Sequence, residues 1–279
     1  MTLRLNPLSD TIGIEAVGLQ LTDAPSQADI ETLRNAFSQR SVLVVRDQRL
    51  EPCAMLDVVK RFGEVFEQHN KRFSLPECPE IHYIWNQERF PNGRRYIPGE
   101  GYHTDHSNDA VPPKATVLHA VKLPDSGGDT QFVDMASAYD GLSADLKARV
   151  DGLQAVHVYQ SSHSARKLMA VEGAKRDVVS DEVIHPLVRT HPENGRRSLY
   201  LNPIRIERLV GLDNEVGLPL LDELLEHATQ EKYQYRHKWQ VGDLVMWDNR
   251  CLMHKANGDY DHSQDRYLLR VMLKGEKPS

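Results

Sequence analysis

Cysteine is scarce in this chain. Its 279 residues include only three, Cys53, Cys78 and Cys251, which are far apart and form no C-x-x-C pair. An odd number of isolated cysteines is not typical of a disulfide framework or of a structural zinc knuckle. We therefore expect no disulfide framework, and a chain that works in the reducing cytoplasm.

The chain also lacks an excess of positive charge and a long apolar run. Its 34 Lys and Arg are outnumbered by 40 Asp and Glu, which gives a formal net charge of −6. Binding to a phosphate backbone favours the opposite balance, so we expect no nucleic acid partner. No stretch reaches the roughly 18 to 20 apolar residues that span a bilayer, and the N-terminus has no signal-peptide pattern. We expect a soluble, unexported protein without a membrane partner.

No linker or repeat divides the sequence. Hydrophobic residues make up 40% of it, an ordinary value for a globular chain. Its length would permit two average domains, but proline and glycine are scattered and no Ser/Gly-rich or Pro-rich tract separates two apolar halves. We therefore predict one domain with insertions, over residues 1–279.

Helical patterns are few. Ser26 and Asp29 are typical of a helix start, and apolar residues at helical spacing follow them as far as Phe37. A second helix is predicted over 51–62 and a third around Pro219. Most other apolar segments are short and rich in Val, Leu or aromatic residues, which is typical of strands, and they lie at 41–45, 116–123, 198–201, 244–247 and 267–273. We predict a mainly β, α+β fold: a β-sandwich or jelly roll with helical cover.

The segment Gly101-Tyr102-His103-Thr104-Asp105-His106-Ser107 contains a histidine and an aspartate two positions apart. On an extended strand, residues i and i+2 face the same way, so His103 and Asp105 could bind one metal ion. A hydrogen-bonded pair without a metal is the alternative reading of the same spacing.

The C-terminal third adds a histidine and two arginines. His254 lies just past the apolar run that ends near Trp247. Arg266 and Arg270 are four apart in an otherwise apolar strand, so both side chains face one side, about 13 Å apart. Inward arginines need anions, either from local acids such as Asp265 or from carboxylates of small acids. Two histidines and one carboxylate form the facial triad that suits non-haem Fe(II) and leaves three positions open.

With these residues the sequence resembles the Fe(II)- and 2-oxoglutarate-dependent dioxygenases of the taurine dioxygenase and phenoxyacetate dioxygenase (TauD/TfdA) type. The resemblance covers nearly the whole chain. Its ordered motifs are Arg61-Phe62-Gly63-Glu64, His103-Thr104-Asp105, Gly127-Gly128-Asp129-Thr130, His185-Pro186-Leu187-Val188-Arg189-Thr190-His191-Pro192, Trp247-Asp248-Asn249-Arg250, and Arg266 with Arg270. The resemblance implies a double-stranded β-helix, or jelly-roll, core of the cupin type.

The resemblance also implies residue roles. His103, Asp105 and His254 correspond to the iron ligands of the family. Thr130 and Arg266 correspond to the residues that bind the distal carboxylate of 2-oxoglutarate, and an arginine fork suits such a carboxylate. Gly127 and Gly128 form a turn before a strand in our interpretation.

The predicted substrate pocket departs from that of taurine dioxygenase. Arg270 corresponds to the arginine that faces the anionic group of taurine, and His69 lies about one residue out of register with a histidine that touches it. Gly99 stands where taurine dioxygenase has an asparagine. His106, Tyr159 and Ile204 fall near pocket positions, and for His106 a hydrogen-bonded role behind the metal ligands is the alternative.

The activity implied is hydroxylation of a small anionic organic substrate, such as a sulfonate, an aryloxyalkanoate or another carboxylate. The cofactor would be Fe(II), the co-substrates 2-oxoglutarate and O2, and the co-products succinate and CO2. The carboxylate of Asp105 favours hydroxylation, because related halogenases lack it. The alternatives are a zinc-dependent hydrolase, which needs no dicarboxylate pocket such as Thr130 with Arg266, and a non-catalytic 2-oxoglutarate-binding protein. The sequence leaves open a homo-oligomer, the substrate, and the roles of loops 86–100 and 160–181.

Overall fold

The computed structural model describes residues 3–169 and 181–279. The helices in these ranges are α1 (Gln27–Arg40), α2 (Pro52–Lys60), α3 (Met135–Asp140), α4 (Ala144–Val150) and α5 (Asn214–Ala228). Single turns of 3-10 helix lie at Leu21–Asp23, Lys71–Phe73 and Glu231–Tyr233. None of these helices is long and apolar enough to cross a membrane.

Strands outnumber helices in the described residues. In chain order they are β1 (Arg4–Pro7), β2 (Ile14–Val17), β3 (Val42–Val45), β4 (His82–Trp85), β5 (Ala115–Lys122), β6 (Thr130–Asp134), β7 (Gln154–His157), β8 (Val183–Pro186), β9 (Val188–Thr190), β10 (Arg197–Leu199), β11 (Ile206–Leu209), β12 (Gln234–His237), β13 (Leu244–Asp248), β14 (Leu252–Ala256) and β15 (Tyr267–Leu273). The fold is therefore a sheet-rich mixture of helices and strands.

The three predicted helices are present. Ser26 caps α1 through a reciprocal pair of hydrogen bonds with Asp29, which satisfies backbone N–H groups at the helix start. Pro52 occupies the first turn of α2, where its missing N–H costs nothing. Pro219 lies inside α5 and does not end it.

The five predicted strand segments correspond to β3, β5, β10, β13 and β15. The other strands were not predicted, because they are three to five residues long and polar residues interrupt their apolar runs. β14 is one of them. His254 follows the apolar run of β13, as the sequence indicates, and it lies in this additional strand.

One large sheet has the strand order β1-β2-β3-β13-β5-β15-β4. Its side chains alternate between two faces, as the period of two requires. On one face Leu43, Met246 and Val271 pack in a core cluster with α1 and α2. The other face, which includes Leu118 and Trp247, packs with Phe132 of the smaller sheet β12-β6-β14. The space between these two sheets is where the candidate site lies.

Two smaller sheets, β11-β7-β8 and β10-β9, complete the strand arrangement in the described residues. They pack with α3, α4 and α5 in a second core cluster that includes Leu146, Leu187 and Leu224. The connection that enters β11 reaches from this region to the same inter-sheet space.

The structure contradicts the expectation that the chain lacks disulfides. Cys53 in α2 is bonded to Cys78, 25 residues later, and their Cα atoms are 6.0 Å apart. The fold brings together two cysteines whose spacing carries no pairing signal, and this removes the ground on which we predicted a reducing compartment. Cys251 is buried with a free thiol.

Candidate active site

A cavity of about 170 Å³ opens between the large sheet and the sheet β12-β6-β14. It brings together every site residue that the sequence predicts. These are His69, His103, Asp105, His106, Thr130, Tyr159, His254, Arg266 and Arg270. Gly99 and Ile204 also line it, as do two arginines that the sequence analysis did not single out, Arg166 and Arg205.

Three donors converge in this cavity. One ligand atom from each of His103, Asp105 and His254 lies within 4.8 Å of the others. His103 forms a backbone bridge with His254, whose strand therefore holds the first histidine in place. We had predicted that His103 and Asp105 lie on one extended strand. Asp105 instead lies in the turn that follows His103. The turn still directs both side chains to one point.

Hydrogen bonds orient the donors. The Nδ1–H of His103 donates to the carbonyl of Gly101 at 2.9 Å, which leaves Nε2 as the lone-pair nitrogen. That Nε2 lies 3.5 Å from Oδ1 of Asp105, and Nε2 of His254 lies 3.7 Å from Oδ2. All three side chains are largely shielded from solvent.

A chain of hydrogen bonds positions the carboxylate from behind. The hydroxyl of Thr116 donates to Oδ2 of Asp105 at 2.6 Å. The side-chain amide N–H of Asn249 donates to the same hydroxyl, and the indole N–H of Trp247 donates to the side-chain oxygen Oδ1 of Asn249. This explains two residues of the Trp247-Asp248-Asn249-Arg250 motif, and it leaves Oδ1 of Asp105 free to bind a metal.

The protonation states also suit a metal. Burial lowers the pKa of His254 to about 3, so its imidazole is neutral near pH 7. Burial acts to raise the pKa of Asp105, but His254 and His103 outweigh it and hold that pKa well below the ordinary value. Metal ions bind neutral imidazole and ionised carboxylate. Two imidazole nitrogens and one carboxylate oxygen, with space on the cavity side, therefore fit Fe(II).

Thr130 and Arg266 lie near each other at another part of the cavity wall. Thr130 begins β6, and strand pairing places it on the same face as His254. Its hydroxyl accepts from the indole of Trp239 at 3.0 Å. Arg266 is buried, and its Nε–H donates to the carbonyl of Gly128 at 2.9 Å. This bond leaves the two Nη groups as a fork for a carboxylate.

The glycines before Thr130 make the turn that we predicted. Gly127 and Gly128 have φ angles of +75° and +71°, which favour glycine. A Cβ on Gly127 would lie 2.3 Å from the carbonyl oxygen of Asp259, so the close backbone approach also requires glycine.

Arg270 projects from β15 into the cavity, where Leu118 is its cross-strand neighbour. Its Nε–H donates to the side-chain oxygen of Gln68 at 2.7 Å. No carboxylate of the described residues lies within ion-pair distance of Arg266 or Arg270, and Asp265 instead contacts Trp85 and Lys122. The local-acid alternative for these arginines is therefore not what the structure contains.

His69 and His106 share a buried acid. Nε2 of His69 lies 2.6 Å from Oδ2 of Asp109, and Nδ1 of His106 lies 3.7 Å from the same oxygen. Burial lowers the pKa of His106 to about 4, so its ring is neutral near pH 7. His106 follows Asp105 directly and has a φ of +49°, a conformation that turns its ring toward the cavity.

Tyr159 contributes its ring to the cavity wall while its hydroxyl donates to the carbonyl of Met169 at 2.6 Å. The guanidinium of Arg205 lies over that ring, 5.3 Å from its centre. Sequence reasoning missed Arg205, because it stands alone before a four-residue strand and belongs to no motif. In loop 86–100, Asn86 accepts from the backbone N–H of Arg266, and Tyr96 lines the cavity. Of loop 160–181, residues 170–180 lie outside the described residues.

Comparison with known proteins places this chain in a family. Residues 4–272 match the family "Taurine catabolism dioxygenase TauD, TfdA family". The chain is 34% identical to the alpha-ketoglutarate-dependent 2,4-dichlorophenoxyacetate dioxygenase of Cupriavidus pinatubonensis, over 97% of each chain. It is 30% identical to the alpha-ketoglutarate-dependent sulfonate dioxygenase of Saccharomyces cerevisiae, over 99% of this chain and 68% of the yeast protein.

A solved structure adds a similarity in three dimensions. AAD-2 in complex with Mn(II) and N-oxalylglycine matches 100% of this chain and 99% of its own, with a TM-score of 0.83 and 29% identity. These relatives give no support to a zinc hydrolase or to a non-catalytic binding protein. The chain belongs to the TauD/TfdA family of alpha-ketoglutarate-dependent dioxygenases.

Proposed function

We propose that this chain hydroxylates a small organic acid, and that His103, Asp105 and His254 hold the Fe(II) at which this happens. One observation carries the proposal. The three-donor cluster and the unpaired guanidinium fork of Arg266 face the same cavity, so a metal and a dicarboxylate can be bound side by side. Fe(II) is the cofactor of the family, and 2-oxoglutarate and O2 are the co-substrates.

When bound, Fe(II) supplies the oxidative chemistry, in which 2-oxoglutarate is converted to succinate and CO2. The residues of this chain bind, orient and shield. His103 and His254 present imidazole nitrogens, and Asp105 presents one oxygen while Thr116 holds the other. The Asp105 carboxylate occupies a position that favours hydroxylation over halogenation.

Arg266 and Thr130 bind the distal carboxylate of 2-oxoglutarate in this proposal. The two Nη groups of Arg266 are free because Gly128 takes only the Nε–H. A guanidinium binds a carboxylate through two parallel hydrogen bonds, and Thr130 is positioned by Trp239 to add a hydroxyl contact.

Arg270 binds the anionic group of the primary substrate. The co-substrate has only one distal carboxylate, so a second cavity-facing arginine without an acidic partner needs another anion. The relatives named above act on 2,4-dichlorophenoxyacetate and on sulfonates. An aryloxyalkanoate, a sulfonate or another carboxylate is therefore the substrate class. His69, His106 and Tyr159 shape the rest of the substrate space.

The test is a screen of aryloxyalkanoates, sulfonates and other small acids with the Fe(II)-loaded protein, with succinate release as the readout. Substrate-dependent succinate release is expected, and its absence with every acid would contradict the proposal. Arg270→Leu should lower kcat/KM for the best substrate by about tenfold to more than a hundredfold, the effect of losing a charge-assisted contact. Arg149→Leu is the control, because Arg149 pairs with Glu223 at the surface.

We also propose the finer features of architecture and setting. The sheets around the cavity form a double-stranded β-helix, or jelly roll, within one domain spanning 1–279. This proposal is supported by the cavity itself, which residues from distant parts of the chain line together, among them His103, Thr130 and Arg266. The setting is the cytoplasm, where 2-oxoglutarate is available, and the partners are small molecules and not nucleic acid or membrane. Cell fractionation tests the cytoplasmic setting.

A further inference from the structure

The described part of the cavity wall carries more positive charge than the proposed reaction uses. Four arginines line it, namely Arg166, Arg205, Arg266 and Arg270, whereas the carboxylates that line it are Asp105 and Glu88. The charges of Fe(II) and of 2-oxoglutarate cancel each other. A substrate with one anionic group would therefore leave part of the positive charge of the arginines without a counter-charge.

Glu88 does not supply that counter-charge. One of its carboxylate oxygens accepts from Arg72 at 3.0 Å, and the other accepts from the hydroxyl of Tyr83 at 3.0 Å. Asp105 faces the metal position. The nearby acid Asp109 binds His69, and neither aspartate lies within ion-pair distance of Arg205.

The chain holds Arg205 firmly in this position. Its backbone carbonyl accepts from the N–H of Val158, and its N–H donates to the carbonyl of Asn202. The amide of Asn202 donates to the carbonyl of Thr104 and to the hydroxyl of Ser107, so the turn that carries Asp105 and the segment that carries Arg205 are tied together. Arg205 is therefore fixed relative to the metal position.

The guanidinium of Arg205 is only partly satisfied. Nη1 donates to the carbonyl of Tyr159 at 2.8 Å, and the group lies over the Tyr159 ring. Its remaining N–H groups have no partner among the described residues, and burial lowers its pKa, as expected of a cation that lacks its anion. Maintaining such a group costs free energy unless a ligand compensates it.

We propose that the primary substrate carries two anionic groups, and that Arg205 binds the second while Arg270 binds the first. This inference rests on the proposed function. It narrows the substrate to an acid whose skeleton bears a further carboxylate, sulfonate or phosphonate. Arg166 lies close enough to Arg205 to add to the positive field.

The experiment compares matched probes on the Fe(II)- and 2-oxoglutarate-loaded protein without oxygen, by calorimetry. The singly charged probe is 4-chlorophenoxyacetate, and the doubly charged probes are 2-, 3- and 4-carboxyphenoxyacetate. At least one of the three should bind about tenfold more tightly than the chloro compound, the effect of one charge-assisted contact. No preference for any of them in the unmodified protein would overturn the inference, whatever the variants do.

Variants then assign the preference to Arg205. Arg205→Gln should abolish the preference for the doubly charged probe and leave affinity for 4-chlorophenoxyacetate within about threefold, while Arg205→Lys should retain part of the preference. Arg208→Gln is the control, since Arg208 lies three residues after Arg205 and pairs with Glu182 at the surface. An equal loss for both probes in Arg205→Gln would contradict the assignment. A retained preference with no succinate release from any acid would contradict the proposed function and not this inference.

Discussion

Two buried aspartates of this chain have similar surroundings and different consequences. Asp105 lies between His103 and His254, and Asp248 lies between His191 and Arg250. The first group, His103, Asp105 and His254, and a second group, His191, Asp248 and Cys251, both have the ligand types and the spacing that a metal ion could use. Only the first of them faces the cavity.

The difference lies in how the oxygens are used. Arg250 donates to both oxygens of Asp248, from its Nε and from its Nη2, and Nε2 of His191 contacts Oδ2 as well. The Nδ1 of His191 accepts from the backbone N–H of Glu193, so Nε2 carries the proton and cannot bind a metal. Asp105 has no guanidinium partner, and the lone pair of His103 Nε2 is free. A buried carboxylate whose charge is balanced by a neighbouring guanidinium is structural. A buried carboxylate that lacks such a partner and lies beside a cavity is a candidate ligand site.

The same distinction separates the arginines. Arg250 is buried and fully paired, with Asp248 on one side and Glu193 on the other. Arg205, Arg266 and Arg270 line the cavity without an acidic partner among the described residues. We read the first as part of the fold and the other three as sites for ligand carboxylates or other anions.

The largest effect should come from Asp105→Ala. Without this carboxylate the site loses one of three proposed ligands, so we expect loss of stoichiometric Fe(II) binding and of detectable turnover. Stability should fall less than in a variant that leaves a buried charge unpaired, because the Thr116 hydroxyl loses its acceptor but no buried cation loses its partner. Equilibrium dialysis with metal analysis and succinate release are the measurements, and Thr104→Ser is a neighbouring control. Full activity in Asp105→Ala would show that this carboxylate is not a metal ligand.

Arg250→Met should affect the fold instead of the chemistry. It leaves the Asp248 carboxylate buried without its cation, which typically costs about 3 to 5 kcal/mol. Urea denaturation of the metal-free protein measures this loss. A decrease below about 1 kcal/mol would show that the Asp248 cluster is not the structural element that we infer.

The acid dependence of that loss has a definite sign. Burial acts to raise the pKa of Asp248, but Arg250 and His191 outweigh it and hold the folded-state pKa below the ordinary value of 3.8. The stabilisation from this ionisation is therefore complete well above pH 3.8 and declines as the pH falls below it. The stability difference between the native protein and Arg250→Met should narrow in that acidic range.

Arg266→Ala tests a guanidinium without an internal partner. It should weaken 2-oxoglutarate binding by about 1.5 to 3 kcal/mol, or roughly tenfold to more than a hundredfold, and leave Fe(II) binding nearly unchanged. Anaerobic calorimetry with 2-oxoglutarate measures the first, and dialysis measures the second. Arg266→Lys keeps the charge without the fork and should give an intermediate affinity. Unchanged affinity in the alanine variant would rule out the proposed role.

The sequence predicted the candidate site better than the strands that form it. His103, Asp105, His254, Thr130 and Arg266 stand in recognisable motifs, and all line one cavity. The strand that carries His254 escaped prediction, since a histidine and a lysine interrupt its apolar run.

Contacts between distant positions had no signal in the sequence. Asn249 and Thr116 are 133 positions apart, and their hydrogen bond follows only from the pairing of β13 with β5. The bond between Cys53 and Cys78 likewise depends on where α2 packs. Arg205 reaches the cavity through a turn fixed by Asn202, and no local pattern encodes that direction.

Thr116 provides the smallest and most specific test, because it touches the metal site only through Asp105. Thr116→Val keeps the shape of the side chain and removes the hydroxyl that donates to Oδ2 of Asp105. Groups that orient a metal ligand typically contribute about tenfold to a hundredfold to metal affinity or activity. We expect a loss in that range, measured as Fe(II) affinity by competition with a chelator.

Thr116→Ser is the matched variant, because it retains the hydroxyl and should retain most of the affinity. Thr116→Val also deprives the Asn249 amide of its acceptor, so a fall in stability is expected in addition. The two effects are separable, since stability is measured on the metal-free protein and affinity on the folded protein at low temperature. If Thr116→Val lowered stability but left Fe(II) affinity unchanged, the hydroxyl would have a purely structural role, like the residues around Asp248. Asp105 would then bind the metal without the help of a hydrogen-bond donor that orients its carboxylate.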